Sequence, residues 1–122
     1  MVAKAEQLER IVRELRQLPG VVGAVLVSRG GIVITASASE EAHTETFAAM
    51  GATMSGAASA ALSEFNKHGP EKITVEGQDC VMVATDAGPK ALLVVLKEGR
   101  DGVEQLRSSA EVAARLIRET LS

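Results

Sequence analysis

The sequence predicts one α+β domain running helix, two strands, helix, three strands, helix over residues 1–122. Three observations carry this. Val21 to Ser28 and Ala91 to Leu96 are apolar at nearly every position, as strands covered on both faces are. The segments toward each end repeat apolar residues at i, i+3, i+4 and i+7, the period of an amphipathic helix. Between them lies a proline-free, alanine-rich segment, Glu41 to Lys67, long enough for a helix of several turns.

Lys4 to Leu18 is the first helix, with Leu8, Ile11, Val12, Leu15 and Leu18 on one face and charges mostly on the other. Pro19-Gly20 ends it. Val21 to Ser28 is a central strand. Arg29-Gly30-Gly31 makes a tight turn into a second strand, Ile32 to Ser37. Ser39 is the expected N-cap of the long helix, with Glu40 and Glu41 near the positive end of its dipole. Gly69-Pro70 is its expected stop.

Glu71 to Glu76 alternates, Ile73 and Val75 on one face against Lys72, Thr74 and Glu76 on the other, as a half-buried edge strand does. Asp79 to Thr85 and Lys90 to Lys97 follow across turns at Gly77-Gln78 and Asp86 to Pro89. Asp101 is the expected cap of the last helix, with Glu104 as its capping-box partner. Val103, Leu106, Ala110, Ala113, Ile117 and Leu121 line one face of that helix.

The central helix carries the most informative pattern. At about 100° per residue, Phe47, Met50, Met54, Ala58, Ala61 and Phe65 form one stripe. Beside it run only small residues: Ala48, Ala52, Ser55 and Ser59. Gly51 and Gly56 each cost roughly 1 kcal/mol relative to alanine in a helix interior. Such a bare flank implies close approach by another backbone. The expectation is that the large stripe packs on the domain's own sheet and the small flank meets a partner.

Composition excludes several functions. The net charge is −3, and Phe47 and Phe65 are the only aromatics, so neither a basic field nor stacking platforms for nucleic acid exist. Cys80 is alone, which forbids an internal disulfide and a cysteine metal cluster; a buried, inert thiol is expected. Apolar runs fall far short of the roughly 20 residues of a membrane-spanning helix, and Met1 to Glu6 lacks a signal-peptide core. A cytoplasmic protein without membrane insertion is expected.

No catalytic apparatus stands out. About 25 helical residues would separate His43 from His68 by roughly 35 Å, which excludes a shared metal site within one subunit and argues against a catalytic pair with Cys80. Ser55 and Ser59 lack a histidine one turn away. Gly30-Gly31 lacks the lysine and helix of a phosphate-binding loop, and no Gly-x-x-x-x-Gly-Lys-Ser/Thr motif occurs. Arg29 and Arg100, both near turns, are candidate arginine fingers only in position; ordinary surface arginines are far commoner.

Taken together, Leu18-Pro19-Gly20-Val21-Val22-Gly23-Ala24-Val25-Leu26-Val27, Gly31-Ile32-Val33-Ile34, the alanine-rich helix and Ala91 to Leu96 before a capped final helix resemble the roadblock/LC7 family. The resemblance covers practically the whole chain. It implies a sandwich: an antiparallel sheet of strand order 2-1-5-4-3, the central helix on one face and the terminal helices on the other. It also implies dimers joined through the third strand and central helix. Carried over, Lys72, Ile73, Thr74 and Val75 pair across the dimer, and Ala48, Ala52, Ser55 and Ser59 line the helix contact. Relatives commonly bind Ras-like small GTPases and carry no nucleotide site of their own.

The expected function is therefore a non-enzymatic scaffold without cofactor or metal. It is a homodimer, or a heterodimer with a paralogue, that binds and modulates a Ras-like small GTPase. The alternative is a profilin-like or PAS-like sensory domain, which requires a ligand cavity with convergent polar groups between helix and sheet.

Overall fold

The two apolar runs form the middle of an antiparallel sheet in a computed structural model that describes residues 3–122. The signal-peptide reading rests partly on Met1 and Val2, which lie outside the described residues. The elements are α1 (Lys4–Arg16), β1 (Val21–Ser28), β2 (Val33–Ala38), α2 (Thr44–Ser63), β3 (Lys72–Glu76), β4 (Cys80–Asp86), β5 (Ala91–Glu98) and α3 (Val103–Leu121). The sheet has five strands in the order β2-β1-β5-β4-β3, all neighbours antiparallel. β1 and β5 are the inner strands, as their continuous apolar character requires.

Successive residues of β1 and β5 feed two separate cores. On one face Ala24, Leu26, Leu93 and Val95 meet Leu8, Val12 and Leu15 of α1 and Leu106, Ala110 and Ile117 of α3. On the other, Val25, Val27, Leu92 and Val94 meet Ala48 and Ala52 of α2. The terminal helices thus share one face and the central helix has the other. The β1–β2 connection turns at Gly31, whose φ of +91° favours glycine. Its N–H donates to the Ser28 carbonyl at 2.9 Å.

The helix ends differ from expectation. Ser39 does not cap α2: its N–H donates to the Val22 carbonyl at 3.0 Å, so it still belongs to the sheet margin. The helix starts after His43, with no side-chain cap. It stops before Gly69-Pro70 because Asn66 takes the left-handed conformation, φ +61°. Lys67 N–H then donates to Leu62 C=O at 3.1 Å and Asn66 N–H to Ser63 C=O at 3.0 Å, a Schellman closure. At α3 the N-cap is Gly102, φ +73°, rather than Asp101. Lys97 Nζ instead donates to the Asp101 carboxylate at 3.3 Å, and this bond holds that carboxyl below its ordinary pKa. Leu121, expected on the buried face of α3, is exposed.

Candidate protein-interaction surface

β3 is bonded on one side only. Its five residues pair with Val81 to Thr85 of β4, and its other edge meets no strand. An open edge is a template for pairing with another chain. Ile73 is half-buried on the α2 side of the sheet, and Val75, two residues on, shares that face and is 39% exposed. Lys72 lies on the opposite face, where its Nζ reaches the Glu111 carboxylate of α3 at 3.3 Å. The facing of Lys72 and Ile73 follows the alternation expected of Glu71 to Glu76, although Thr74 is half-buried and Val75 exposed. Of the residues assigned to pairing, Lys72, Ile73, Thr74 and Val75 all sit on this edge.

The helix contributes in the opposite sense to the one expected. Ala48, Ala52 and Ser55 are buried inside the subunit at 0%, 8% and 5% exposure, while Met50 is 57% and Phe65 78% exposed. The small flank packs on the sheet and much of the large stripe looks outward. The reason is bulk already present below the helix. A Cβ added at Gly51 would lie 3.0 Å from Val94 Cγ2, so α2 rests as close to β5 as packing allows. Ser59 is likewise used internally, since a Cβ on Gly69 would lie 2.7 Å from its Oγ. Ala48, Ala52, Ser55 and Ser59 thus form contacts within the chain. The bare flank did signal close backbone approach, but to the protein's own sheet.

Gly56 is different, because a Cβ there would meet nothing within 4 Å. Gly56→Ala is expected to raise stability by about 0.5–1 kcal/mol through helix propensity alone. Urea denaturation of the two proteins checks this; an equal loss would mean that another surface closes on Gly56.

α2 lies mainly over β1, β2 and β5, and the α2-side core reaches β4 at buried Ala84, so cover thins only toward β3 at the edge. Half-buried Met54, Ile73 and Met82 pack at the margin of the α2-side core. Met50 stands one turn before Met54, and Val75 follows Ile73 on the same face. Methionines suit such a surface, since their unbranched chains adapt to a partner. The result is an apolar strip along the open edge, joining helix to strand.

The remaining candidates fall elsewhere. Arg29 pairs with Asp86 and donates to the Gly88 carbonyl at 3.0 Å, so its charge is committed within the chain. Arg100 is exposed in the β5–α3 turn. His43 and His68 are exposed at either end of α2, and Cys80 is half-buried at the start of β4 rather than fully enclosed. Among the described residues no group of three or more His, Cys, Asp or Glu is placed to hold a metal ion. Nor is any helix long and apolar enough to cross a membrane. Of the large stripe, Phe47 and Met54 pack on the α2-side core as expected, and it is Met50 and Phe65 that sequence reasoning did not place at the surface. The periodicity that marks the stripe does not separate its covered members from its exposed ones.

Comparison with known proteins agrees with this architecture. Protein MJ0714 of Methanocaldococcus jannaschii is 30% identical over 111 residues, covering 91% of this chain and 93% of that protein. Among solved structures, Myxococcus xanthus MglB superimposes with a TM-score of 0.90 at 16% identity, covering 99% of this chain and 92% of that one. An MglB with a tetrameric arrangement gives 0.78 at 23% identity, covering 98% and 94%. At these identities the structures show the fold alone. The model of the Roadblock/LC7 domain matches residues 7–97, most of the chain, and with the shared sheet order and helix placement it shows that this protein belongs to the Roadblock/LC7 domain family.

Proposed function

We propose that the protein is a non-enzymatic, cytoplasmic, dimeric regulator that binds a Ras-like small GTPase. The observation that carries the dimer is the open β3 edge flanked by Ile73, Val75, Met82, Met54 and Met50. Pairing two such edges satisfies exposed backbone groups and removes apolar surface from water together. Self-association of an MglB in a tetrameric arrangement supports the same reading. On this reading the interface comprises β3 with Met50 and Met54 of α2, while Ala48, Ala52, Ser55 and Ser59 serve contacts within the subunit.

Small GTPases are the partner class that the family resemblance implies. Gly51 against Val94 fills the middle of the helix–sheet interface, which favours an interaction platform over a ligand-binding domain. Pull-down with small GTPases of the same genome, each loaded with GDP or a GTP analogue, tests the partner. Retention of one GTPase with a preference for one nucleotide state is expected. Failure of every GTPase to bind in either state would contradict the proposal.

A further inference from the structure

The backbone of β3 presents its outward groups in a definite order. Asp86 N–H donates to the Glu71 carbonyl at 2.8 Å, and Gly77 N–H donates to the Cys80 carbonyl at 2.9 Å. Peptide groups alternate sides along an antiparallel strand. Ile73 and Val75 therefore bond to β4, and the N–H and C=O groups of Lys72, Thr74 and Glu76 point to the open edge. Side chains alternate by face: Ile73 and Val75 toward α2, Lys72 toward Glu111 of α3 and Glu76 with it. Among the described residues Glu76 has no ion-pair partner.

We infer that two copies of β3 pair antiparallel in a register centred on Thr74, so that Lys72 of each subunit stands opposite Glu76 of the other. This rests on the dimer proposed above and fixes its register and its homotypic character. A two-fold axis normal to the sheet keeps α2 on the same face in both copies, so residues opposite one another share a face. Centring on Thr74 is the register that overlaps all five residues of the strand. Every outward N–H and C=O of Lys72, Thr74 and Glu76 then finds a partner. Ile73 meets Val75 on the α2 side, continuing the methionine surface. On the α3 side each Lys72 meets a Glu76, and directly opposed unlike charges favour a sheet pair where like charges oppose it. A shift to centre on Ile73 places Lys72 opposite Thr74 and leaves Glu76 without a backbone partner. A shift to centre on Val75 does the same to Lys72. The edge is thus complementary to itself in one register.

Charge exchange at these exposed positions tests the register apart from the dimer. Lys72→Glu places Glu opposite Glu in both symmetric pairs, and Glu76→Lys places Lys opposite Lys. Each variant alone is expected to self-associate about tenfold more weakly or worse, from two cross-strand pairs changing sign. Mixed together, the two variants restore unlike pairs at both positions and form a one-to-one heterodimer. The double exchange, Lys72→Glu with Glu76→Lys, restores the homodimer, as sedimentation velocity across a concentration series would show. A wild-type dimer indifferent to both single changes would overturn the register. So would single-variant losses that neither mixing nor the double exchange recovers, because those losses would trace to changes inside the subunit, such as loss of the Lys72–Glu111 contact in Lys72→Glu. A monomeric wild type would instead remove the dimer itself.

Discussion

Met50→Glu and Val75→Glu are each expected to weaken self-association by about 30-fold or more while leaving the subunit folded. Met50 is 57% and Val75 39% exposed in the single chain, so neither carries the core. In the dimer both would be covered, and a carboxylate there would be desolvated without a partner. Central interface positions typically contribute about 2 kcal/mol or more, which is the stated fold-change. Sedimentation velocity gives the association constant, and the far-UV spectrum should remain that of the parent. Val112→Glu is a matched control: it is 51% exposed on α3, away from the β3 edge, and should leave association unchanged. If the control and the two test variants behave alike, the apolar strip along α2 and β3 is not the interface.

Leu93→Ala is expected to destabilise the subunit by about 2–5 kcal/mol, the usual range for emptying a buried leucine site. Leu93 has no exposed surface and lies in β5, opposite Leu26 of β1 on one side and Thr85 of β4 on the other. It packs into the core shared by α1 and α3. Strands on both sides hold the backbone, so the gap has little freedom to collapse and the loss should be toward the upper end. For a domain of 122 residues, a change of this size is a large fraction of a typical total stability of about 5–15 kcal/mol. Urea midpoints at several protein concentrations separate this effect from dissociation, since only a linked dimer shows concentration dependence. A loss below about 1 kcal/mol would contradict the two-core description.

Much of this was legible in the sequence for reasons the structure makes explicit. β1 and β5 read as inner strands because residues on both of their faces are apolar, and both faces are covered. β3 was placed at an edge because Ile73 and Val75 alternate with Lys72, Thr74 and Glu76. The orientation of α2 was not legible. A row of alanine, serine and glycine permits close approach without saying to what, and a helical wheel is the same whichever side faces inward. What decides it is the bulk of Val94 and its neighbours under the helix, which is tertiary information. Helix ends failed for a related reason, since capping residues compete for other partners. Ser39 is held by the sheet at Val22, and Lys97 bonds to Asp101 beside the glycine that begins α3. Asn66 closed α2 ahead of the more conspicuous Gly69-Pro70 because asparagine tolerates positive φ.

The proposed interaction surface is legible in the sequence only in its strand. The strand component was read from alternation. Ala48, Ala52 and Ser55, which the small-residue pattern points to a partner, are buried inside the subunit, and the proposed α2 contribution is Met50 with Met54. The proposed GTPase partner has no residue signature in the chain and rests on the family resemblance alone.

The most direct test of the dimer on which this account depends is the mass of the purified protein in solution at micromolar concentration, by light scattering behind a sizing column. Two subunits, twice the chain mass of 12.7 kDa, is the predicted result. A single 12.7 kDa species that persists as concentration rises would contradict it.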